Sequence, residues 1–198
     1  MVGEIRIYFE GDERLRPGFA GFLKSIIDTA REHRINFHLV SCGARAIKDF
    51  MIALATHPDA VNFLLMDAEG PDDGKLLINA KSHSAWNPPN GMDTSDSQVH
   101  FMTQVMESWF LADKEALVRF FGDNFRIKRL PANPQVEEID KRDVLNGLKE
   151  ATQVTQKGSY HKTRHAPELL RNISPRLVRG AAPNCRRLFV VLEEKLRE

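Results

Sequence analysis

The chain has 198 residues, 42% of them hydrophobic, which is enough for one well-buried core, and no strong linker divides it. No apolar stretch approaches the length that spans a bilayer, and Met1-Val2-Gly3-Glu4 is not a basic region followed by an apolar segment, so a cytoplasmic protein without a membrane partner is expected. The two cysteines, Cys42 and Cys185, are too few for a disulfide framework or a thiolate zinc site and are expected to be reduced thiols. The net charge of +1 hides an asymmetry. From Asp59 to Asp73 there are five acids and no Lys or Arg, whereas Lys141 to Arg187 holds eleven bases and three acids. One segment suits a cation and the other a polyanion.

In chain order, Ile5-Arg6-Ile7-Tyr8-Phe9 reads as a buried strand closed by Glu10, and Gly11 to Pro17 as a polar loop. Phe19, Phe22, Leu23, Ile26, Ile27 and Ala30 recur at helical spacing. Phe37 to Val40 is a second strand ended by Ser41-Cys42-Gly43, and Ile47, Phe50, Met51 and Leu54 mark a second helix with Arg45 near its start. Phe63 to Met66 is the third strand. Gly70 to Asp96, rich in Gly, Pro, Asp, Asn and Ser, should be mostly loop, with Trp86 beside Pro88, Pro89 and Asn90 either covering a site or packing the loop down. Val99 to Val105 is a further strand, and Met106 to Phe121 an apolar-faced helix ending at Gly122. Short helices follow at Lys141 to Thr152, Pro167 to Asn172 and Asn184 onward. Strands alternating with helices predict an α/β fold with a doubly wound, mainly parallel sheet over 1–122, and a helical basic extension over 123–198 packed on the same domain.

Acidic residues stand where three apolar runs stop or start. Glu10 closes the first strand, Asp67 and Glu69 close the third, and Glu107 opens Ser108-Trp109-Phe110-Leu111. Ligands of an open parallel sheet bind outside the carboxyl ends of its strands, and carboxylates that converge there repel one another unless a cation holds them. The two-residue spacing of Asp67 and Glu69 puts both on one face of an extended backbone, within reach of one ion. Gly11 permits close backbone approach to a ligand. The plain alternatives are a polar strand exit for Asp67-Ala68-Glu69 and an exposed helix edge for Glu107.

Together these residues resemble the Toprim domain of topoisomerases, primases and overcoming-lysogenization-defect nucleases: a strand ending in Glu10-Gly11, a helix, a second β-α unit, and a strand ending in Asp67-x-Glu69. Tyr8-Phe9-Glu10-Gly11, Ser41-Cys42-Gly43, Asp67-Ala68-Glu69-Gly70-Pro71, Met106-Glu107-Ser108-Trp109-Phe110-Leu111-Ala112-Asp113 and Lys157-Gly158-Ser159-Tyr160-His161-Lys162 resemble, more closely, an uncharacterised bacterial family with a Toprim-like fold. Its members are often paired with an ABC- or AAA-type ATPase in what look like phage-defence pairs. The resemblance implies that Glu10, Asp67 and Glu69, with Glu107 as a fourth acid, hold Mg2+ or Mn2+ for phosphodiester hydrolysis. It also makes Glu10 a candidate general acid or base. Glu69 stands where Asp is commoner.

The basic segment supplies candidate contacts to nucleic acid: Lys157, Lys162 and Arg164 for phosphate, His161 beside them, Tyr160 for stacking on an unpaired base, and Arg45 at the second helix start. The i, i+4 pair His161 and His165 is discounted as a metal pair because Lys162 and Arg164 lie between them. The expectation is a metal-dependent nuclease acting on DNA or RNA. The alternatives are a Toprim-like subunit that binds nucleotide or nucleic acid without cutting it, and a phosphoacceptor domain with Asp67 as the acceptor.

Overall fold

The computed structural model describes residues 2–89 and 94–198; Asn90, in the loop next to Trp86, lies outside them. β1 (Glu4–Phe9), β2 (Asn36–Ser41), β3 (Val61–Asp67) and β4 (Val99–Met102) form one all-parallel sheet in the order β2-β1-β3-β4. Parallel neighbours need long crossovers. α1 (Arg16–Phe22) and α2 (Lys24–Glu32) join β1 to β2, α3 (Ala46–Thr56) joins β2 to β3, and the connection from β3 to β4 carries α4 (Leu76–Lys81). Strand alternation decides what each face meets. Ile5, Ile7, Phe9, Phe63, Leu65 and Met102 join Phe19, Phe22 and Ile26 in one core. Tyr8, Leu64, Val99 and Phe101 join Phe50, Met51 and Leu54 of α3 and Leu76 of α4 in a second. Helices therefore cover both faces, and the sheet is doubly wound, as the alternating pattern predicts. Because the chain leaves β1 toward β2 on one side and returns to β3 on the other, the ends of β1 and β3 flank the switch point, where Glu10 and Asp67 stand.

Several boundaries differ from the sequence expectation, each for a local reason. The run from Phe19 to Ala30 is two helices, because Leu23 leaves helical geometry at φ −94°, ψ 16°. The fourth strand stops at Met102: beyond it, Gln104 O instead accepts the N–H of Glu69 at 2.8 Å, and the chain turns toward Asp67. The helix expected from Met106 to Phe121 is broken into α5 (Ser108–Leu111) and α6 (Lys114–Phe121). Asp113 causes the break by capping α6, accepting the N–H of Ala116 at 3.0 Å, while its other oxygen accepts that of Ser174 at 2.9 Å. α7 (Lys141–Thr152) has its expected bounds, with Asp140 as cap. α8 (Lys162–Asn172) begins five residues before Pro167, which stands inside the helix, without an N–H to donate and crowding the carbonyl four residues earlier. α9 (Pro175–Ala181) and α10 (Pro183–Lys195) complete the chain. Trp86 lies 6.2 Å from the Phe50 ring, packing its loop onto α3.

The 123–198 segment shares the first core: Leu130, Val144, Leu148, Leu169, Phe189 and Leu192 are buried with the β1 side chains. Trp109 is fully buried at its centre, stacked 5.0 Å from Phe22 and edge-on to Phe19 at 6.5 Å. Removing such an aromatic typically costs about 3–5 kcal/mol. α1 and α8 touch backbone to backbone. A Cβ at Gly18 would lie 2.6 Å from Pro167 O, and one at Gly21 would lie 2.7 Å from the Arg171 side chain. This contact fixes the height of α8 against the sheet, and hence the position of its first residue, Lys162.

Candidate active site

Asp67 is the last residue of β3, on the face that carries Phe63 and Leu65, and is 5% exposed. Its Oδ1 accepts the N–H of Met106 at 2.8 Å, and its Oδ2 lies 3.2 Å from Lys162 Nζ. Glu107, 1% exposed, accepts the Tyr160 hydroxyl at Oε1 (3.1 Å) and lies 3.6 Å from the same ammonium through Oε2. Glu10 Oε2 accepts the Asp67 N–H at 3.2 Å, tying the end of β1 to that of β3. Three acids distant in sequence therefore gather at the carboxyl edge of the sheet around one lysine.

Burial and charge set their protonation. Burial pushes the Asp67 carboxyl up to about 7, against the pull of Lys162 and with a further push from Glu107 and Glu10. Burial also raises Glu10, opposed by the Asp67 N–H and aided by Glu69. For Lys162, burial works against the ammonium, but Asp67 and Glu107 outweigh it, and the pKa rises. Burial and the Glu107 charge hold the Tyr160 phenol well above its ordinary value.

Beside this cluster lies a cleft of about 410 Å³, lined by Asp67, Glu107, Tyr160, Lys162 and, from α7, Lys141, Arg142, Leu145 and Lys149, with Val105, Glu69 and His161 completing its walls. The basic residues of α7 were not singled out from the sequence as contacts. The excess of bases after Lys141 was the available signal, but nothing local to α7 says which way its turns face.

The sequence-selected residues divide accordingly. Asp67, Glu107, Glu10, Lys162 and Tyr160 meet directly, and His161 lies on the cleft wall. Glu69 departs from its expected place. The extended backbone that would align it with Asp67 ends at Asp67, and Glu69 adopts φ +61°, is 61% exposed and pairs with Lys141 at 2.6 Å. Tyr160 also departs: it is 5% exposed, with its hydroxyl spent on Glu107, so its ring is not presented to a base. Lys157 lies over the Phe120 ring at 4.6 Å, outside the cleft lining. Arg164 is exposed and also outside that lining. Arg45 pairs with Asp49 and lines a separate hollow, with Lys48 and His83, on the other side of Glu10. Both cysteines are free and buried. His165 is buried, and its Nδ1 accepts the His161 N–H.

Among the described residues, no group of three or more His, Cys, Asp or Glu side chains is placed to hold a metal ion. In kind, the donors fit a hard divalent ion: carboxylate oxygens with two of them, Asp67 Oδ2 and Glu107 Oε2, already turned to one cationic nitrogen. Asp67 and Glu107, with Glu10 adjacent, are the residues that would hold it.

Among the described residues no helix is long and apolar enough to cross a membrane. The model of the family described as "Domain of unknown function (DUF4276)" matches residues 12–193, and the chain belongs to that family. No curated protein and no solved structure matches it.

Proposed function

We propose that this member of the family is a Mg2+- or Mn2+-dependent nuclease that hydrolyses phosphodiester bonds of DNA or RNA. The observation that carries the reading is the buried Asp67–Glu107 pair opening onto a cleft walled by Lys141, Arg142, Lys149, His161 and Lys162. A cleft with acids at its floor and bases on its walls suits a hard cation and a polyanion together. The divalent ion would supply a water acidified toward neutral pH and offset charge on the leaving oxygen. The lysines and Arg142 meet the phosphates flanking the scissile bond. Tyr160 orients Glu107, and Glu10, with its raised pKa, carries a proton to or from the reacting oxygens. The resemblance to Toprim nucleases of overcoming-lysogenization-defect type, the pairing with an ABC- or AAA-type ATPase and a part in phage defence belong to the same proposal.

A second reading, a Toprim-like subunit that binds nucleotide or nucleic acid but does not cut without the ATPase, is favoured by one observation. Lys162 already pairs with Asp67 and Glu107, and Lys141 with Glu69, so the site stands in a self-paired state. As a phosphoacceptor Asp67 is poorly placed, because both its oxygens are engaged below the surface.

The test is cleavage of labelled single- and double-stranded DNA, tRNA and other RNA with Mn2+ or with EDTA, comparing wild type with Asp67→Asn and Glu107→Gln. The nuclease reading expects metal-dependent cutting by the wild type, reduced at least about a hundredfold in both variants. Cutting that survives both substitutions overturns it. No cutting by any of the three, followed by cutting once the ATPase is added, selects the second reading.

A further inference from the structure

We propose that Lys162 is a built-in counter-ion: its ammonium holds the Asp67–Glu107 pair in the place a divalent ion would take, and leaves the pair when that ion binds. The inference rests on the metal reading above and adds to it a regulated exchange at the same site.

The hydrogen bonds other than those of Lys162 take one oxygen of each acid and leave the second to the ammonium. Met106 N–H takes Asp67 Oδ1 and the Tyr160 hydroxyl takes Glu107 Oε1. The two remaining oxygens, Oδ2 and Oε2, both face Lys162 Nζ, at 3.2 and 3.6 Å. Two carboxylates that are 5% and 1% exposed repel one another so strongly that one stays protonated unless a positive charge lies between them. Lysine provides that charge in a form close to that of a metal ion, a compact point charge on a flexible stem without the fixed fork of arginine.

Beyond this pair only the charge of Glu10 draws on the ammonium among the described residues, without an ion pair to it. It is the first residue of the eleven-residue helix α8, at the end where the helix dipole repels a cation. His161, before it, makes no side-chain cap to the helix. The Lys162 side chain is 41% exposed and lines the cleft, so a route out of the acidic floor is open. When both acids are ionised, the single charge of the ammonium leaves the pair net negative. A divalent ion alone balances it, and once bound makes the ammonium a like charge to be expelled. The released Lys162 then faces the same cleft that Lys141, Arg142 and Lys149 line, where a phosphate oxygen is the available partner.

Two measurements test the exchange. Loss of the free Mn2+ signal in electron paramagnetic resonance measures binding to wild type and to Lys162→Met, with Asp67→Asn as the site control. Because the methionine variant removes charge from a buried pair, the second measurement uses wild type alone. Amine acylation mapped by mass spectrometry follows Lys162 at increasing Mn2+, with Lys195, which is paired to Glu198, as internal reference.

The expected results are Mn2+ binding about tenfold or more tighter in Lys162→Met, as removal of a competing unit charge requires. Lys162 acylation should rise several-fold at saturating Mn2+ while Lys195 stays unchanged. If Mn2+ binds and Asp67→Asn abolishes it, but Lys162 keeps its acylation rate and Lys162→Met binds no tighter, the exchange is wrong and the metal reading stands. If neither wild type nor Lys162→Met binds Mn2+, both are wrong.

Discussion

His100 gives a sharp prediction about the strand that carries the site. It lies in β4 opposite Leu65 of β3, fully buried, 5.6 Å from the Phe63 ring. Its Nε2 donates to Ser97 O at 2.9 Å, and its Nδ1 has no partner among the described residues. Burial, with the nearby Arg187 charge, pushes its pKa down from 6.5 to about 3. Between those values the unfolded chain takes up a proton that the folded chain refuses, so stability is full above 6.5 and is lost as the pH falls toward 3. At pH 4 the loss from this group is about 3 kcal/mol at 1.36 kcal/mol per pKa unit. That is a sizeable part of a stability of about 5–15 kcal/mol.

Asp67 has the opposite sign. With its folded pKa raised to about 7, it is penalised for ionising as the pH rises from the unfolded value, so it favours the folded state at lower pH. The wild-type curve alone therefore does not isolate His100. His100→Gln keeps an N–H donor for Ser97 O and removes the titration. In urea denaturation at pH 7, 5.5 and 4, wild-type stability minus variant stability should fall by about 3 kcal/mol between pH 7 and pH 4. A difference that stays constant with pH refutes the reasoning. Since β4 pairs with β3 up to Met102 and Asp67, the acid-induced loss should also loosen the edge that holds the cleft floor.

Other outcomes follow from the packing around the same edge. Gly18→Ala brings a Cβ to 2.6 Å from the Pro167 carbonyl, a backbone atom that cannot swing aside. The overpacking cost of about 1–3 kcal/mol should outweigh the helix-propensity gain of roughly 0.5–1 kcal/mol. A lower Tm is expected, and an unchanged or raised Tm would show that α1 and α8 are less tightly docked. Tyr160→Phe leaves Glu107 Oε1 buried without its donor and should destabilise the protein by about 1–3 kcal/mol. A urea midpoint equal to wild type would mean that the hydroxyl does not hold Glu107.

The local code of this chain is strong. The short apolar runs ending at Phe9 and near Met66, and the 3.6-period faces of α3 and α7, are consequences of which side chains must leave water, and they are visible without a partner. Alternation of those runs was sufficient for a doubly wound parallel sheet; the rule that ligands gather at strand carboxyl ends picked out Glu10, Asp67 and Glu69, of which Glu69 is turned away, and Glu107 stood out as an acid opening an apolar run. The placement of Lys162 in contact with two of these acids was beyond local pattern, because it depends on α8 docking on α1 through Gly18 and Gly21, more than 140 residues earlier in the chain than the helix they meet. The basic run containing Lys162 was legible as cationic, but whether a cation faces a phosphate or a buried carboxylate is decided by what folds against it.

Tyr160 and Glu69 show the same limit from opposite sides. Tyr160 was expected to stack on an unpaired base and Glu69 to reach the same ion as Asp67, yet the docking of α8 and of the Gly158–Lys162 segment buries Tyr160 against Glu107, while a single residue at φ +61° turns Glu69 out to Lys141. Sequence alone determined the elements, their order and the acids at the strand ends, because hydrophobic periodicity and strand polarity are short-range properties. The tertiary structure decided which charges neutralise one another, because that depends on distances of a few ångströms between residues such as Asp67 and Lys162, 95 positions apart.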